Sequence, residues 1–135
     1  MVFCTFLQTS ILVDQAVLIA TRQASLDTKL ESIVRIASYA SYALEPMNMR
    51  LGPISATKKA LKLADWNIQQ VELAEINEAL AGQSTIVIKE LGIDECIVNA
   101  NGGGIALCTL TGSVCRIVVS LIHEMYRRQT KKAIQ

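Results

Sequence analysis

The sequence predicts an α/β fold in which helices pack on a mostly parallel sheet, and two observations indicate it. Apolar runs suited to buried strands alternate with segments of helical periodicity along most of the 135 residues. Hydrophobic residues make up 51% of the chain, but aromatic residues only 4%. A core with so few aromatics must be built from aliphatic side chains, as in layered proteins whose strands are buried on both faces.

Four strands and four helices alternate in this prediction. The strands are Ala16–Ala20, Ile33–Ala37, Val71–Ile76 and Ile97–Asn99. Thr21 can cap a helix that reaches about Leu30, and Pro53 suits the first turn of a helix that ends near Ala64. A third helix follows Asn77 and ends at Gly92. In the last helix, apolar residues recur at helical spacing at positions 114, 117, 118, 121, 122 and 125.

The charge pattern argues against nucleic acid as a partner. The formal net charge is +1, and the main basic cluster is Arg127, Arg128, Lys131 and Lys132. Nucleic-acid binding usually combines a basic stripe with stacking aromatics, and no aromatic is interleaved here. The cluster is typical of a solvated helix end whose cations lie near the carboxyl terminus.

The metal-ligating residue types are too few and too scattered to predict a metal site. The four cysteines are Cys4, Cys96, Cys108 and Cys115, and no pair has the spacing of a zinc knuckle or a redox motif. The only histidine is His123. We therefore expect reduced thiols and no metal.

The apolar segment from Met1 to Val13 is predicted to be buried structure. It lacks the positive region and the cleavage site of a signal peptide, and Asp14 interrupts it before it reaches the length of a membrane span. We expect no membrane association, and the cytoplasm is the default compartment.

Three segments resemble motifs of the thiolase family. Residues 49–53, Met-Arg-Leu-Gly-Pro, are similar to its Met-Gly-x-Gly-Pro loop, and residues 75–80, Glu-Ile-Asn-Glu-Ala-Leu, to its Asn-Glu-Ala-Phe motif. Residues 98–107, Val-Asn-Ala-Asn-Gly-Gly-Gly-Ile-Ala-Leu, resemble its Val-Asn-x-Asn-Gly-Gly-Ala-Ile-Ala-Leu. Residues 116–124 resemble its last long helix. Their order and spacing carry the resemblance, which covers about residues 33–128.

The resemblance implies a thiolase-like layered α/β/α fold. Residues 1–30 would be the end of a thiolase amino-terminal domain, and residues 31–135 an incomplete carboxy-terminal domain. The family's carboxy-terminal sheet has five strands, and this chain stops before two of them. The strand at residues 33–37 is therefore expected to have an unpaired edge, and the chain to associate with itself or with thiolase subunits.

The resemblance also implies acyl transfer between a cysteine and coenzyme A, as in acetyl-CoA C-acetyltransferases. Such chemistry needs a thiolate, a base and donors for the thioester oxyanion. Asn77 matches the asparagine that holds an oxyanion-hole water, and Ser10 matches a serine that contacts coenzyme A. Coenzyme A is a substrate in the family, and no separate cofactor is implied.

Several catalytic positions of the family have no counterpart in this chain. Thr109 stands where the family has the histidine of Gly-His-Pro, and a hydroxyl without a neighbouring base cannot replace an imidazole near neutral pH. The domain with the nucleophilic cysteine and the late Cys-x-Gly motif are also missing. We therefore expect a thiolase-family acyltransferase domain that is inactive alone, a non-catalytic module that binds thiolase subunits, or the product of a damaged gene.

For several of these residues, a purely structural role is the alternative to a functional one. Asn77 is also a good helix cap. Cys108 and Cys115 flank the family's active-site loop, and a thiol at a helix start can have a lowered pKa, but small apolar filler is the simpler interpretation. His123 is expected to be structural. The glycine-rich turn at residues 101–104 lacks the order of glycines of a nucleotide-binding loop.

Overall fold

The computed structural model describes the backbone of residues 2–9, 14–107 and 113–135, and the side chains of residues 17–106 and 114–135. The described strands are β1 (Val2–Thr9), β2 (Asp14–Ala20), β3 (Val34–Arg35), β4 (Leu73–Ala74) and β5 (Ala133–Ile134). The described helices are α1 (Arg22–Thr28), α2 (Gly52–Ala64), α3 (Ala81–Leu91), α4 (Gly104–Leu107) and α5 (Ser113–Arg128). Short 3-10 turns cover Pro46–Leu51, Ile68–Gln70 and Glu95–Ile97.

The described strands form two sheets. The amino-terminal sheet has the antiparallel order β2-β1-β3, whereas β4 and β5 pair in parallel. A parallel bridge between Ala74 and Val98 extends the second sheet by one position. The parallel sheet that the helical crossovers predict is thus confirmed for the carboxy-terminal part of the chain, where the candidate site lies.

The core lies around β4 and the helices that cover it. Leu73, Ala74 and Val87 are each only 1% exposed, and Ile117 of α5 is 2% exposed. Aliphatic side chains from α3, β4 and the turn after α3 form one cluster, as the composition predicts. This cluster fixes the position of β4, and β4 leads directly into the segment that carries Asn77.

The helix ends agree with the local sequence signals. The side chain of Thr21 accepts a hydrogen bond from the backbone N–H of Ala24 and so caps α1. Pro53 lies in the first turn of α2, and Gly92 ends α3 with a left-handed φ of 66°. The three lysines of α2, at positions 58, 59 and 62, are exposed.

The strands are shorter than the apolar runs suggest. Of the strand predicted at residues 33–37, only Val34–Arg35 pairs with another strand. Of the strand predicted at residues 71–76, only Leu73–Ala74 does so. At Ile97–Asn99, a 3-10 turn and one bridge replace the predicted strand. The last helix buries Ile117, Leu121 and Ile122, whereas Val114 is 70% exposed.

Candidate functional site

Asn99 joins the end of β4 to the glycine-rich loop. Its backbone N–H donates to Ala74 O at 2.8 Å. Its side-chain amide then bonds both backbone groups of Ile76, accepting from the N–H at 2.7 Å and donating to the carbonyl at 3.1 Å. The side chain thus replaces a strand residue as the partner of Ile76. Asn99 adopts a φ of 47°, which asparagine tolerates better than most residues.

Glu78 fixes the other side of the same loop. Its Oε1 accepts from Asn99 Nδ2 at 2.8 Å, and its Oε2 accepts from the backbone N–H of Ile105 at 2.9 Å. The carboxylate lies so close to the α-carbon of Gly103 that a Cβ built there would be 2.2 Å from Glu78 Cδ. A side chain at position 103 would therefore have to displace the Glu78 carboxylate.

Asn77 lies between these two anchored residues, Ile76 and Glu78, and its own side chain is exposed. It lines a cleft of about 670 Å³ together with Gln83, whose Oε1 is buried without a hydrogen-bond partner among the described residues. The N–H groups of such carboxamides can donate a hydrogen bond to an oxyanion or to a water. The helix-cap alternative for Asn77 is wrong, because α3 begins at Ala81 and Leu80 occupies the cap position.

The pKa values of two buried carboxylates beside this loop, Glu75 and Glu124, are shifted in opposite directions. Burial raises the pKa of Glu75 to about 7; Arg116 opposes the shift, and the charges of Glu124 and Glu78 add to it. The pKa of Glu124 is lowered to about 2, mainly because Arg127 Nε donates a hydrogen bond to it at 2.8 Å.

These shifts make stability depend on pH with opposite signs. Between pH 4.5 and about 7 the folded chain keeps the proton of Glu75 that the unfolded chain releases, so this contribution to stability is lost as pH rises through 7. Glu124 is ionised in the folded chain down to about pH 2, so its contribution is lost as pH falls from 4.5 towards 2.

Of the other candidate residues, only His123 and Cys115 lie in the described part of the chain, and neither lines the cleft with Asn77. Ser10, Cys108 and Thr109 lie outside the described residues. His123 is exposed on α5 and is not among the residues that line the cleft. Cys115 is a partly buried free thiol on the same helix, and it does not line the cleft either.

Cys96 is the other free thiol among the described residues. It is exposed in the 3-10 turn after α3, and a hydrogen bond to the Asp94 carboxylate raises the pKa of its thiol. A raised pKa lowers the thiolate fraction, which is the opposite of what a nucleophile requires.

The described residues contain neither a metal-ligand cluster nor a helix that could span a membrane. No group of three histidine, cysteine, aspartate or glutamate side chains in the described part of the chain is placed to hold a metal ion. No helix of the described part is both long and apolar enough to cross a membrane.

Sequence reasoning missed the roles of Asn99 and Glu78. The only signals were an asparagine shortly before a run of glycines, where a left-handed turn is favoured, and an acidic residue next to Asn77. Neither signal identifies the partner, because the bonded residues are 21 to 27 positions apart in the chain.

The fold and this loop define a layered α/β domain with a carboxamide at the end of a buried parallel strand. The family model described as "Thiolase, C-terminal domain" matches residues 30–135. The chain therefore belongs to the thiolase family, as its motifs indicate.

Individual relatives agree with this assignment. The acetyl-CoA acetyltransferase of Pseudomonas aeruginosa is 48% identical over 120 residues, which are 88% of this chain and 30% of that protein. The 3-ketoacyl-CoA thiolase of Bacillus subtilis is 44% identical over 118 residues, 84% of this chain and 29% of its own length. A crystal structure of human mitochondrial 3-ketoacyl-CoA thiolase superposes with a TM-score of 0.82 at 38% identity, covering 88% of this chain and 30% of that one. The chain thus spans about 30% of the length of these relatives.

Proposed function

We propose that this chain is a thiolase-family acyltransferase domain, related to acetyl-CoA acetyltransferases, that does not transfer acyl groups by itself. The observation that carries the proposal is the surroundings of Asn77. Its carboxamide could serve an oxyanion, but no described residue that lines the same cleft is a histidine or a cysteine. Acyl transfer through a thiol requires both a thiolate and a base within hydrogen-bond reach of the reacting group.

The positions of the available groups support this proposal. The exposed thiol of Cys96 has a raised pKa, and the imidazole of His123 is on α5, away from the cleft lining. Thr109, which replaces the family's histidine, offers only a hydroxyl. Because members of a catalytic set act together, the loss of one already costs several powers of ten in rate.

A thiolysis assay tests the proposal. The purified chain is mixed with acetoacetyl-CoA and coenzyme A, and the loss of acetoacetyl-CoA is followed by absorbance. We expect no rate above that of buffer, and the same result for Cys108→Ala and Asn77→Ala. Cleavage by the parent chain that Asn77→Ala abolishes would show that the site is active and the proposal wrong.

A single substitution at position 109 is not expected to create activity. Thr109→His supplies an imidazole but no thiolate, and a displacement of about 1 Å in a catalytic group costs roughly a hundredfold. The same assay checks this variant. Thiolysis by Thr109→His alone would show that the loop already holds the remaining groups in place.

Binding of acyl-CoA is a separate question from catalysis. By resemblance to the family, Ser10 would contact coenzyme A, and Asn77 offers a donor in the cleft. Isothermal titration of acetyl-CoA into the chain, with Ser10→Ala as the matched variant, measures this directly. Binding that is unchanged in Ser10→Ala would remove Ser10 from the site.

The second candidate function is a non-catalytic module that associates with itself or with thiolase subunits. Specific observations favour it: β2 is an edge strand whose Leu18 and Ile19 are 47% and 48% exposed, and Met47 is 91% exposed. Exposed apolar surface and open strand edges both promote association. Light scattering of the chain, alone and mixed with a full-length thiolase, would show a complex if this function is correct, and two unaltered masses if it is not.

A further inference from the structure

The glycine-rich loop is held at both ends by carboxylates. At its start, Asn101 Nδ2 donates to Glu124 Oε2 at 3.2 Å. Just after its end, the backbone N–H of Ile105 donates to Glu78 Oε2 at 2.9 Å. Between the two ends, the buried Gly103 lies so close to the Glu78 carboxylate that a Cβ has no room. The position of the loop therefore depends on two acidic side chains.

The two carboxylates are anchored to different extents. Glu124 is 3% exposed, and the guanidinium groups of Arg127 and Arg128 both donate to it. Opposite charges strengthen these bonds, and Arg127 contacts both carboxylate oxygens. Glu78 is half-buried, and its donors among the described residues are one side-chain amide and one backbone N–H, both neutral. Glu78 is therefore the weaker of the two anchors.

A third carboxylate, that of Glu75, is buried close to these two anchors. Glu75 is 3% exposed, and its backbone N–H donates to Ile134 O at 3.0 Å, which holds it in the sheet. Asn99 bonds to the residues on both sides of Glu75, and the amide of the same asparagine donates to Glu78. One side chain thus joins the backbone around Glu75 to the weaker anchor of the loop.

Charged groups on α5 and on the segment after β4 act on Glu75. Arg116 favours the ionised form of its carboxyl group, whereas Glu124 and Glu78 oppose it, and burial opposes it most. Together these effects raise the pKa of Glu75 to about 7. Because the interaction between two charged groups is mutual, an ionised Glu75 also repels the carboxylates that hold the loop.

We propose that Glu75 is a pH-sensitive switch for the glycine-rich loop. While Glu75 holds its proton, the Glu78 carboxylate stays on the loop. When Glu75 ionises, Glu78 turns outwards to solvent and frees the N–H of Ile105, so the end of the loop is released. Glu124 keeps its place because two arginines hold it, and the start of the loop at Asn101 therefore does not move.

The switch acts on the position of Asn77. This residue precedes Glu78 in the chain and lines the cleft, so a turn of Glu78 away from the loop loosens the segment that carries the Asn77 carboxamide. The loop is held in mildly acidic solution, where Glu75 is protonated, and its end is released above about pH 7. The proposal does not depend on whether the chain transfers acyl groups.

Carbon-13 NMR of the uniformly labelled chain, from about pH 5.5 to about pH 8.5, follows each part of the switch. The carboxyl carbon of Glu75 reports its ionisation, the α-carbons of Gly103 and Ile105 report the released end, and the side-chain carbonyl carbon of Asn101 reports the fixed start. Carbon nuclei do not exchange with solvent, so these signals remain visible at high pH. We expect the first three signals to move together with one midpoint near pH 7, and the Asn101 signal to stay in place.

Three substitutions of glutamate by glutamine locate the switch. Glu75→Gln removes the ionising group, so the signals of Gly103 and Ile105 should show no step near pH 7. Glu90→Gln, at an exposed position on α3, is the matched control and should leave the step unchanged. Glu78→Gln removes a charge that opposes ionisation and should shift the midpoint of Glu75 to lower pH. The titration of the parent chain does not depend on any variant folding.

The remaining outcomes would overturn the proposal. Signals of Gly103 and Ile105 that stay in place while Glu75 ionises would mean that the loop does not respond to this charge, and a Glu75 that does not ionise in this range would mean that there is no switch. Movement of Asn101 in step with Ile105 would mean that Glu78 is not the weaker anchor. None of these results bears on the thiolysis assay, so the proposed lack of catalysis stands or fails separately.

Discussion

Replacing Gly103 with alanine tests whether the Glu78 carboxylate positions the glycine-rich loop. An alanine Cβ at this position would lie 2.2 Å from Glu78 Cδ and Oε2 and 2.5 Å from Oε1. Those atoms are the end of a flexible side chain, so we expect the carboxylate to swing away and the backbone to stay in place. The move breaks the hydrogen bonds that Glu78 accepts from Asn99 and Ile105.

The size of the effect follows from those two bonds. Hydrogen bonds to a charged group contribute about 1.5–3 kcal/mol each, and the one from Ile105 is exposed to solvent, which places it at the low end or below. We therefore expect Gly103→Ala to lower the free energy of unfolding by about 2–3 kcal/mol. In a Glu78→Ala background the obstacle is gone, and the same substitution should cost less than about 0.5 kcal/mol.

Urea unfolding followed by circular dichroism measures all four members of this double-mutant cycle. Gly82→Ala is the matched control, because a Cβ there meets nothing within 4 Å and alanine favours the helix. It should be neutral or slightly stabilising. Equal losses for Gly103→Ala in both backgrounds would refute the reasoning, because the cost would then arise from the backbone and not from Glu78.

Three further predictions concern buried or half-buried side chains, and urea unfolding checks each. Asn99→Gly keeps the left-handed conformation accessible but removes three side-chain hydrogen bonds, so it should cost about 2–3 kcal/mol; a loss below about 0.5 kcal/mol would contradict the cross-link. Leu73→Ala should cost about 2–5 kcal/mol, whereas Leu63→Ala at the surface should change stability by less than about 0.5 kcal/mol. The free energy of unfolding should be highest near pH 4.5 and should fall towards pH 7 by at most about 1.4 kcal/mol per pH unit. Glu75→Gln should remove this decline but keep the loss of stability in acid that is due to Glu124. The same pH profile for the parent and for Glu75→Gln would show that Glu75 does not titrate in this range.

The parts of the fold that depend on local chemistry could be predicted from the sequence. The cap at Thr21, the start of α2 near Pro53 and the left-handed end of α3 at Gly92 each involve bonds within a few residues. The aliphatic core follows from composition and periodicity, and the motifs identified the family over the part of the chain that the family model matches. The position of Asn77 at the end of a buried strand was predicted in the same way.

The extent of the strand in residues 33–40 could not be predicted from the sequence. The apolar run at residues 33–37 predicts a strand. Only Val34 and Arg35 of this run form backbone hydrogen bonds with another strand. A strand needs hydrogen-bond partners, and a partner is a property of two distant segments that no single run of residues encodes.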